Sequence, residues 1–344
     1  MKVFKGAVLL GAIALFIGCK SGSTILTPEK QEDVFTIAFG SCNKHTVENK
    51  LWDDVIASNP DVWIWGGDIV YADTDDAQKI GEMYEVQKKV TGYDELREKI
   101  QIIGTWDDHD YGLNDGGAEF ASKGESQEVF LDFLDVPKES NRRKQEGVYA
   151  SHSYDLPSGS VKILILDTRY FRSPLTPAKK GSKRYEPGIY GEGTVLGDKQ
   201  WNWLEDELRN SKADFNILVS SIQFLSNQHG FECWGNFPHE VDKLKGIIEK
   251  SNAKGVIILS GDRHISEFSA DRIQGVAYPL VDFTSSGLTH VYSSYSGEPN
   301  PYRIGEVVAK KSFGIVKLNL QTKEVLFEMI GNNGNILNAL TEQY

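Results

Sequence analysis

The chain has 344 residues, 40% hydrophobic and 25% charged, a composition that supplies a sizeable core and excludes a disordered or fibrous protein. Its formal charge of −12 offers no polyanion-binding face, so a nucleic-acid partner held by backbone charge is not expected.

At the N-terminus, Lys2 and Lys5 precede an apolar run over 7–17 and then Gly18-Cys19. The run is too short to span a bilayer comfortably, but it suits a signal peptide whose cleavage exposes a cysteine for lipid attachment. Residues 1–18 therefore read as a bacterial lipoprotein signal, Cys19 as the lipidation site and 19–33 as a polar tether. Phe16 stands where such signals usually carry leucine, which keeps a plain secretory signal as the alternative. The expectation is an exported protein anchored to a membrane of the cell envelope through Cys19, or else a secreted or periplasmic soluble one. After Cys19 only Cys42 and Cys233 remain; in an oxidising compartment they can pair, and no Cys-x-x-Cys supports structural zinc.

From residue 34 onward, strand-like and helix-like stretches alternate. The pattern predicts strands over 35–39, 62–65 and 100–106, a helix over 51–58 stopped by Asn59-Pro60, and helical sequence over 77–99 interrupted at Thr91-Gly92. Further apolar runs at 161–166, 215–220 and 255–259 read as strands. Helices over 198–211, with Trp201, Leu204 and Leu208 on one face, and over 238–251, with Pro238 in its first turn, separate the later ones. This order argues for an α/β fold with a largely parallel sheet. Residues 313–320 and 325–331 instead form an antiparallel hairpin, which leaves 332–344 as a C-terminal tail. The glycine- and proline-rich stretch 173–197 is too long for a plain connection and is a candidate wall or lid over a site.

Ligands of open α/β sheets gather beyond the carboxyl ends of the strands. Those ends carry "FGSCNKH", "WGGDIVY", "GTWDDHDYG", "SSIQF" and "SGDRHIS" in turn. Cys42, Asp68, Tyr71, Asp107, Asp108, His109, Asp262 and His264 therefore converge on one rim. Taken singly, each has a bland explanation as a turn former, a helix cap or a core side chain. Together they concentrate carboxylates that repel one another unless cations neutralise them. Asp68 can bridge two ions, with Asp108 and Asp262 offering further oxygens. A Cys42 thiolate and a Tyr71 phenolate suit a trivalent ion such as iron, while the remaining carboxylates suit calcium, magnesium or manganese.

"GDIVY" at 67–71 fits the Gly-Asp-x-x-Tyr motif of purple-acid-phosphatase-like metallophosphoesterases, "DDHD" at 107–110 stands in place of their Gly-Asn-His-Glu, and "GDRH" at 261–264 in place of Gly-His-x-His. With "GSC" at 40–42 and "LDTRYFRS" at 166–173, the combination resembles the alkaline phosphatase D (PhoD-like) branch over roughly 35–320. The resemblance implies a four-layer α/β/β/α sandwich over 34–331 that hydrolyses phosphate mono- or diesters. It implies an Fe3+ site built by Cys42, Asp68, Tyr71 and His264 beside a Ca2+ site using Asp68, Asp108 and Asp262, with Mg2+, Mn2+ or Zn2+ as other occupants.

The mechanism expected from this cluster is attack by a metal-activated hydroxide in line with the leaving group of a phosphate-ester substrate, with His109 as proton donor to the leaving oxygen. Arg169 is a candidate phosphate clamp or a salt-bridge partner, as is Arg263. Gln223, nearest the place of a missing superfamily histidine, either ligates through its amide oxygen or hydrogen-bonds within the sheet. Asn236, in a segment resembling the family's Trp-Asp-Gly-Tyr element, either contacts metal or substrate or serves a turn; Asp107 is a further possible contact. The alternatives are a phospholipase-type diesterase and a surface binding lipoprotein in which metal is structural.

Overall fold

A computed structural model describes residues 33–181 and 183–344, so the expected signal segment, Cys19 and nearly all of the tether lie outside the described residues. Three parallel strands open the fold: β1 (Val34–Gly40), β2 (Val62–Gly66) and β3 (Gln101–Thr105), linked through α1 (Leu51–Ala57) and then α2 (Ala77–Lys88) and α3 (Tyr93–Lys99). The break between the last two falls at Gly92, which caps α3 with a φ of 85° that a β-carbon would disfavour. The short helix α4 (Asp108–Tyr111) and then α5 (Lys123–Phe133) follow.

The middle of the chain forms β4 (Ala150–Leu156), β5 (Gly159–Ile165), the small pair β6 (Thr176–Pro177) and β7 (Tyr185–Glu186), α6 (Gly197–Asn210), β8 (Phe215–Val219), α7 (Pro238–Ser251) and β9 (Val256–Ser260). Then come β10 (Ser266–Asp271), β11 (Leu280–Ser285), β12 (Arg303–Val308), β13 (Phe313–Asn319), β14 (Glu324–Gly331) and β15 (Asn335–Gln343).

Two sheets result, ordered β15-β14-β13-β1-β2-β3 and β12-β10-β11-β9-β8-β5-β4. Both are mixed rather than largely parallel: the first has parallel β1-β2-β3 on one side and antiparallel strands on the other, and the second has a parallel centre with antiparallel strands at both flanks. The expected hairpin is β13–β14, but the expected tail is β15, which pairs with β14 along its length. Its alternation of apolar and polar residues is weak because it is an edge strand with both faces partly wet.

Period-two patterning explains the layers. In β2, Val62 and Ile64 face the second sheet, while Trp63 and Trp65 face the helices. The inter-sheet core joins Phe35, Ile37 and Phe39 to Ile163, Ile217 and Phe283. Outside the first sheet, Trp52, Trp63, Trp65 and Tyr93 pack edge to face or tilted, and Trp65 Nε1 donates to Tyr93 Oη at 2.9 Å. Outside the second, α6 and α7 cover Leu164, Leu218 and Ile258. The order is helices, sheet, sheet, helices: the four-layer sandwich expected. Among the described residues no helix is long and apolar enough to cross a membrane.

Candidate metal centre

Register brings the donors together. Gly40 pairs with Trp65, and Gly66 with Thr105, so β1, β2 and β3 end nearly level and release Cys42, Asp68 and Asp108 side by side. In the second sheet Ser260 pairs with Thr284, placing Gly261-Asp262 next to Ser286. The two sheets touch here through residues without side chains. A β-carbon on Gly67 would lie 3.1 Å from Ser221 Cβ, and one on Gly261 would lie 2.6 Å from both Gly66 O and Ser41 Oγ. These glycines do more than turn the chain: they let the strand exits close up on one another.

The exits are strained. Cys42, Asp68, Asp262 and His264 have φ of 58°, 51°, 65° and 54°, as do nearby Asp73 and Asp115 at 46° and 50°. A left-handed conformation costs a non-glycine residue about 1–3 kcal/mol, and such residues cluster at functional sites. The strain re-aims side chains that would otherwise alternate across the sheet.

Cys42 Sγ lies 3.4 Å from Asp68 Oδ2 and 3.0 Å from Ser286 Oγ. Tyr71 Oη is 3.3 Å from the same Asp68 oxygen and 3.0 Å from His264 Nε2. Three groups of donor atoms, each mutually within 4.8 Å, emerge: Cys42, Asp68 and His264; Asp68, Asp108 and His109; Asp107, Asp108 and Asp262. Asp68 belongs to the first two and Asp108 to the last two. Asp68, Asp108, His109, Asp262 and His264 line a cleft of about 530 Å³ whose walls include Arg184, Phe231, Glu232, Arg263 and Tyr292, with Cys42 and Asp107 buried beneath it.

Electrostatics show what this arrangement lacks. Burial, reinforced by Cys42 and Asp108, holds the Asp68 carboxyl well above the ordinary carboxylate range. Burial and Asp108 push Asp262 up to about 7, and burial pushes the Cys42 thiol up to about 12. Tyr71 is raised by burial and by Asp68. Asp108 moves the other way: burial opposes its charge, but Arg169, His109 and backbone N–H groups outweigh it. Asp68 Oδ1 and Asp107 Oδ2 are buried without a hydrogen-bond partner among the described residues. Buried anionic oxygens without donors are costly, and a cation both satisfies them and favours their charged form. The donor set fits metal: thiolate, phenolate and imidazole on one side, carboxylates on the other.

Several expected site residues take other roles. Arg169 is fully buried beneath the cleft, where its guanidinium pairs with Asp107 and Glu232, so it is a strut rather than a phosphate clamp. Nε donates to Asp107 Oδ1 at 2.6 Å, and Ser221 Oγ donates to the same oxygen at 2.7 Å. Arg263 lines the cleft, yet it is held by both carboxylate oxygens of Glu298 and stacks 4.3 Å from the Phe231 ring centroid. Gln223 turns its amide nitrogen to Glu267 Oε1 and Thr284 Oγ1, at 2.7 and 2.9 Å, within the second sheet and is not among the residues lining the cleft; its amide oxygen has no hydrogen-bond partner among the described residues. Asn236 Oδ1 accepts from the Cys233 backbone at 2.8 Å and closes a turn. Cys42 and Cys233 are both free thiols.

Asp73, Glu232 and His290 join the site although spacing did not single them out, and so does Asp115, whose segment 114–117 the sequence offers either as an oxygen ligand or as a turn. His109 Nδ1 is 2.7 Å from Asp73 Oδ1. Asp115 donates its backbone N–H to Asp108 Oδ2 at 2.7 Å. Glu232, buried, sits between Arg169 and Arg172. His290 lies against Tyr71 and His264, with ring centroids 4.9 and 4.4 Å away. His290 follows β11, a strand the apolar-run criterion passes over because "LVDFTS" is interrupted by Asp282. Recognising that strand end would have found both Ser286 and His290.

The family model for PhoD-like phosphatases matches residues 82–294, which include Asp107, Asp108, His109, Asp262 and His264, while Cys42, Asp68 and Tyr71 precede the match. Alkaline phosphatase D of Bacillus subtilis (strain 168) is 24% identical over 219 residues, 54% of this chain but only 36% of that relative. Among solved structures, that of PhoD superposes with a TM-score of 0.69 at 16% identity, covering 90% of this chain and 68% of that one. GAP50 of Plasmodium gives 0.60 at 12%, covering 90% and 89%, and a dimetal phosphatase from Danio rerio gives 0.54 at 11%, covering 90% and 99%. At such identities these likenesses speak for the fold, which is that of the sandwich described above. With more than half its length matched by the family model, the chain belongs to the PhoD-like phosphatase family.

Proposed function

We propose that the chain is a metal-dependent phosphoric ester hydrolase of the alkaline phosphatase D type, acting at the bacterial cell envelope and anchored there by lipid on Cys19. One observation carries the enzymatic reading: Asp68 is shared between two donor groups and Asp108 between two, so these carboxylates could serve neighbouring cations in one open cleft. Cys42, Asp68, Tyr71 and His264 would hold iron, and Asp68, Asp108 and Asp262 calcium. When bound, the cations supply positive charge for phosphate oxygens and acidify a water.

The chain's own residues supply position and a proton path. His109 stands at the cleft wall with its side chain about one-fifth exposed, and its ring packs on Tyr71 with centroids 4.2 Å apart. Because Asp73 occupies Nδ1, Nε2 is the nitrogen left to pass a proton to a departing alcohol oxygen. Phosphoryl transfer asks chiefly for positioning and charge stabilisation, which a rigid floor of strand ends provides.

Metal analysis of the purified protein, with hydrolysis of p-nitrophenyl phosphate and its bis-ester before and after chelation, tests this reading. Tightly bound metal without hydrolysis of either would leave a metal-containing binding lipoprotein instead. His109→Ala is expected to lower kcat by about a hundredfold or more while leaving metal content intact; loss of metal would make His109 a ligand. Mass spectrometry of the mature N-terminus tests the anchor, since an unmodified start elsewhere than Cys19 overturns it.

A further inference from the structure

In a chain of charge −12, the segment 178–184, "AKKGSKR", carries four cations and no acid. Its described residues, 178–181 and 183–184, follow β6 and lead into β7, where Thr176 faces Glu186 and Pro177 faces Tyr185. The tip is not loosely hung. Arg184 and Tyr185 both donate their backbone N–H to Gly230 O at 2.9 Å, and Ala178 donates to Arg184 O at 3.1 Å.

The base of the hairpin is tied to the candidate metal centre through one residue. Tyr185 Oη donates to Asp115 Oδ2 at 2.7 Å, Arg184 reaches the same oxygen at 2.6 Å, and the Asp115 backbone N–H holds Asp108. Arg184, half exposed, forms part of the cleft wall. Lys183 covers Gly230 so closely that a β-carbon there would lie 2.5 Å from its Cγ, which sets this lysine beside Phe231 and Glu232 of the cleft.

Many cations among the described residues are neutralised by nearby carboxylates, as Arg184 is by Asp115; the three lysines of the tip are barely compensated. Lys180 and Lys183 have no ion pair among the described residues, and Lys179, 85% exposed, has its nearest acid at 3.7 Å. Exposed contact of that kind contributes little. Like charges carried on a hairpin that joins the cleft wall at Arg184 raise the local concentration of anions there. A run of lysines on a solvated face would need neither the seat on Gly230 nor the tie through Asp115.

We propose that the hairpin tip is an anion subsite beside the metal cleft, formed by Lys179, Lys180, Lys183 and Arg184, and that the preferred substrate carries a second negatively charged group on its alcohol side. The identification of that ligand as a substrate rests on the hydrolase reading above. The scissile phosphate lies over the carboxylate floor; the lysines stand farther along the hairpin and meet charge on the leaving group.

The test compares equilibrium binding of an alkylphosphonate with that of α,ω-alkane bisphosphonates of graded chain length, none hydrolysable, to the metal-loaded protein. Wild type is expected to prefer the best-fitting bisphosphonate by about tenfold or more, and added salt to weaken that preference. In the combined variant Lys179→Gln, Lys180→Gln, Lys183→Gln the preference falls to roughly the twofold expected from two equivalent groups. No preference in wild type, or one that survives the triple change, overturns the subsite. A protein that shows the preference but hydrolyses no p-nitrophenyl phosphate keeps the subsite and loses the hydrolase reading.

Discussion

Asp68→Asn protein is expected to lose its cations and its turnover together, with metal affinity falling by more than about a hundredfold and kcat by on the order of a thousandfold. The amide keeps the shape of the carboxyl beside Cys42 and Tyr71 but removes the charge that two donor groups share. The same change should not weaken the metal-free fold. In the absence of ions Asp68 is a buried carboxyl pushed upward by burial and by its acidic neighbours, and asparagine has no proton to lose. In chelator, therefore, the variant should melt no lower than wild type, while only wild type gains on adding metal.

The sign with pH follows from the raised values. Asp262, pushed from 3.8 to about 7, favours the metal-free folded chain below its ordinary value, and that contribution is lost as pH rises through 7. Cations bind the deprotonated donors, so the rise in Tm on adding metal should grow with pH, most steeply near the Asp262 value. Retention of stoichiometric metal by Asp68→Asn, or a metal-induced rise that is flat across this range, would sink the shared-carboxylate centre.

Arg169→Ala is expected to be the most damaging single change to the fold itself, by about 3–5 kcal/mol. Its side chain is fully buried between Asp107 and Glu232, so truncation strands two buried carboxylates. Arg172 still accompanies Glu232 through Nε at 2.8 Å, while Asp107 loses its cationic partner and keeps the Ser221 hydroxyl. The paired change Arg169→Met with Asp107→Asn should recover much of the loss, because it removes a charge of each sign. Chemical denaturation of the three proteins in chelator decides the matter. A variant that unfolds within about half a kcal/mol of wild type yet shows a raised KM would return Arg169 to the phosphate.

The donors of the candidate centre were legible because each follows a strand whose apolar run is unmistakable. Val62–Gly66 and Val256–Ser260 are buried on both faces, so the polar residues after them announce the end of the sheet. Strands that carry polar residues for the interior were not legible. β10 holds Glu267 against Arg303, and β11 holds Asp282 against Ser260, so neither reads as an apolar run. The parallel-sheet expectation failed for the same reason, since the unread β10 is the strand that turns this side of the sheet antiparallel, against both β11 and β12. Arg169 shows a different limit: its residue type suits both a phosphate and a buried ion pair, and only the fold brings Glu232, more than sixty residues onward, to claim it.

The centre draws its donors from both sides of the seam between the sheets, across separations of 193 residues from Tyr71 to His264 and 220 from Cys42 to Asp262. Asp68, Asp108 and His109 can meet within one β-α-β unit, but the two groups that include His264 and Asp262 need both sheets, so no single unit assembles the whole centre. Full loading must wait until the halves have docked. The compartment in which the chain completes its folding thus determines which ions compete for it.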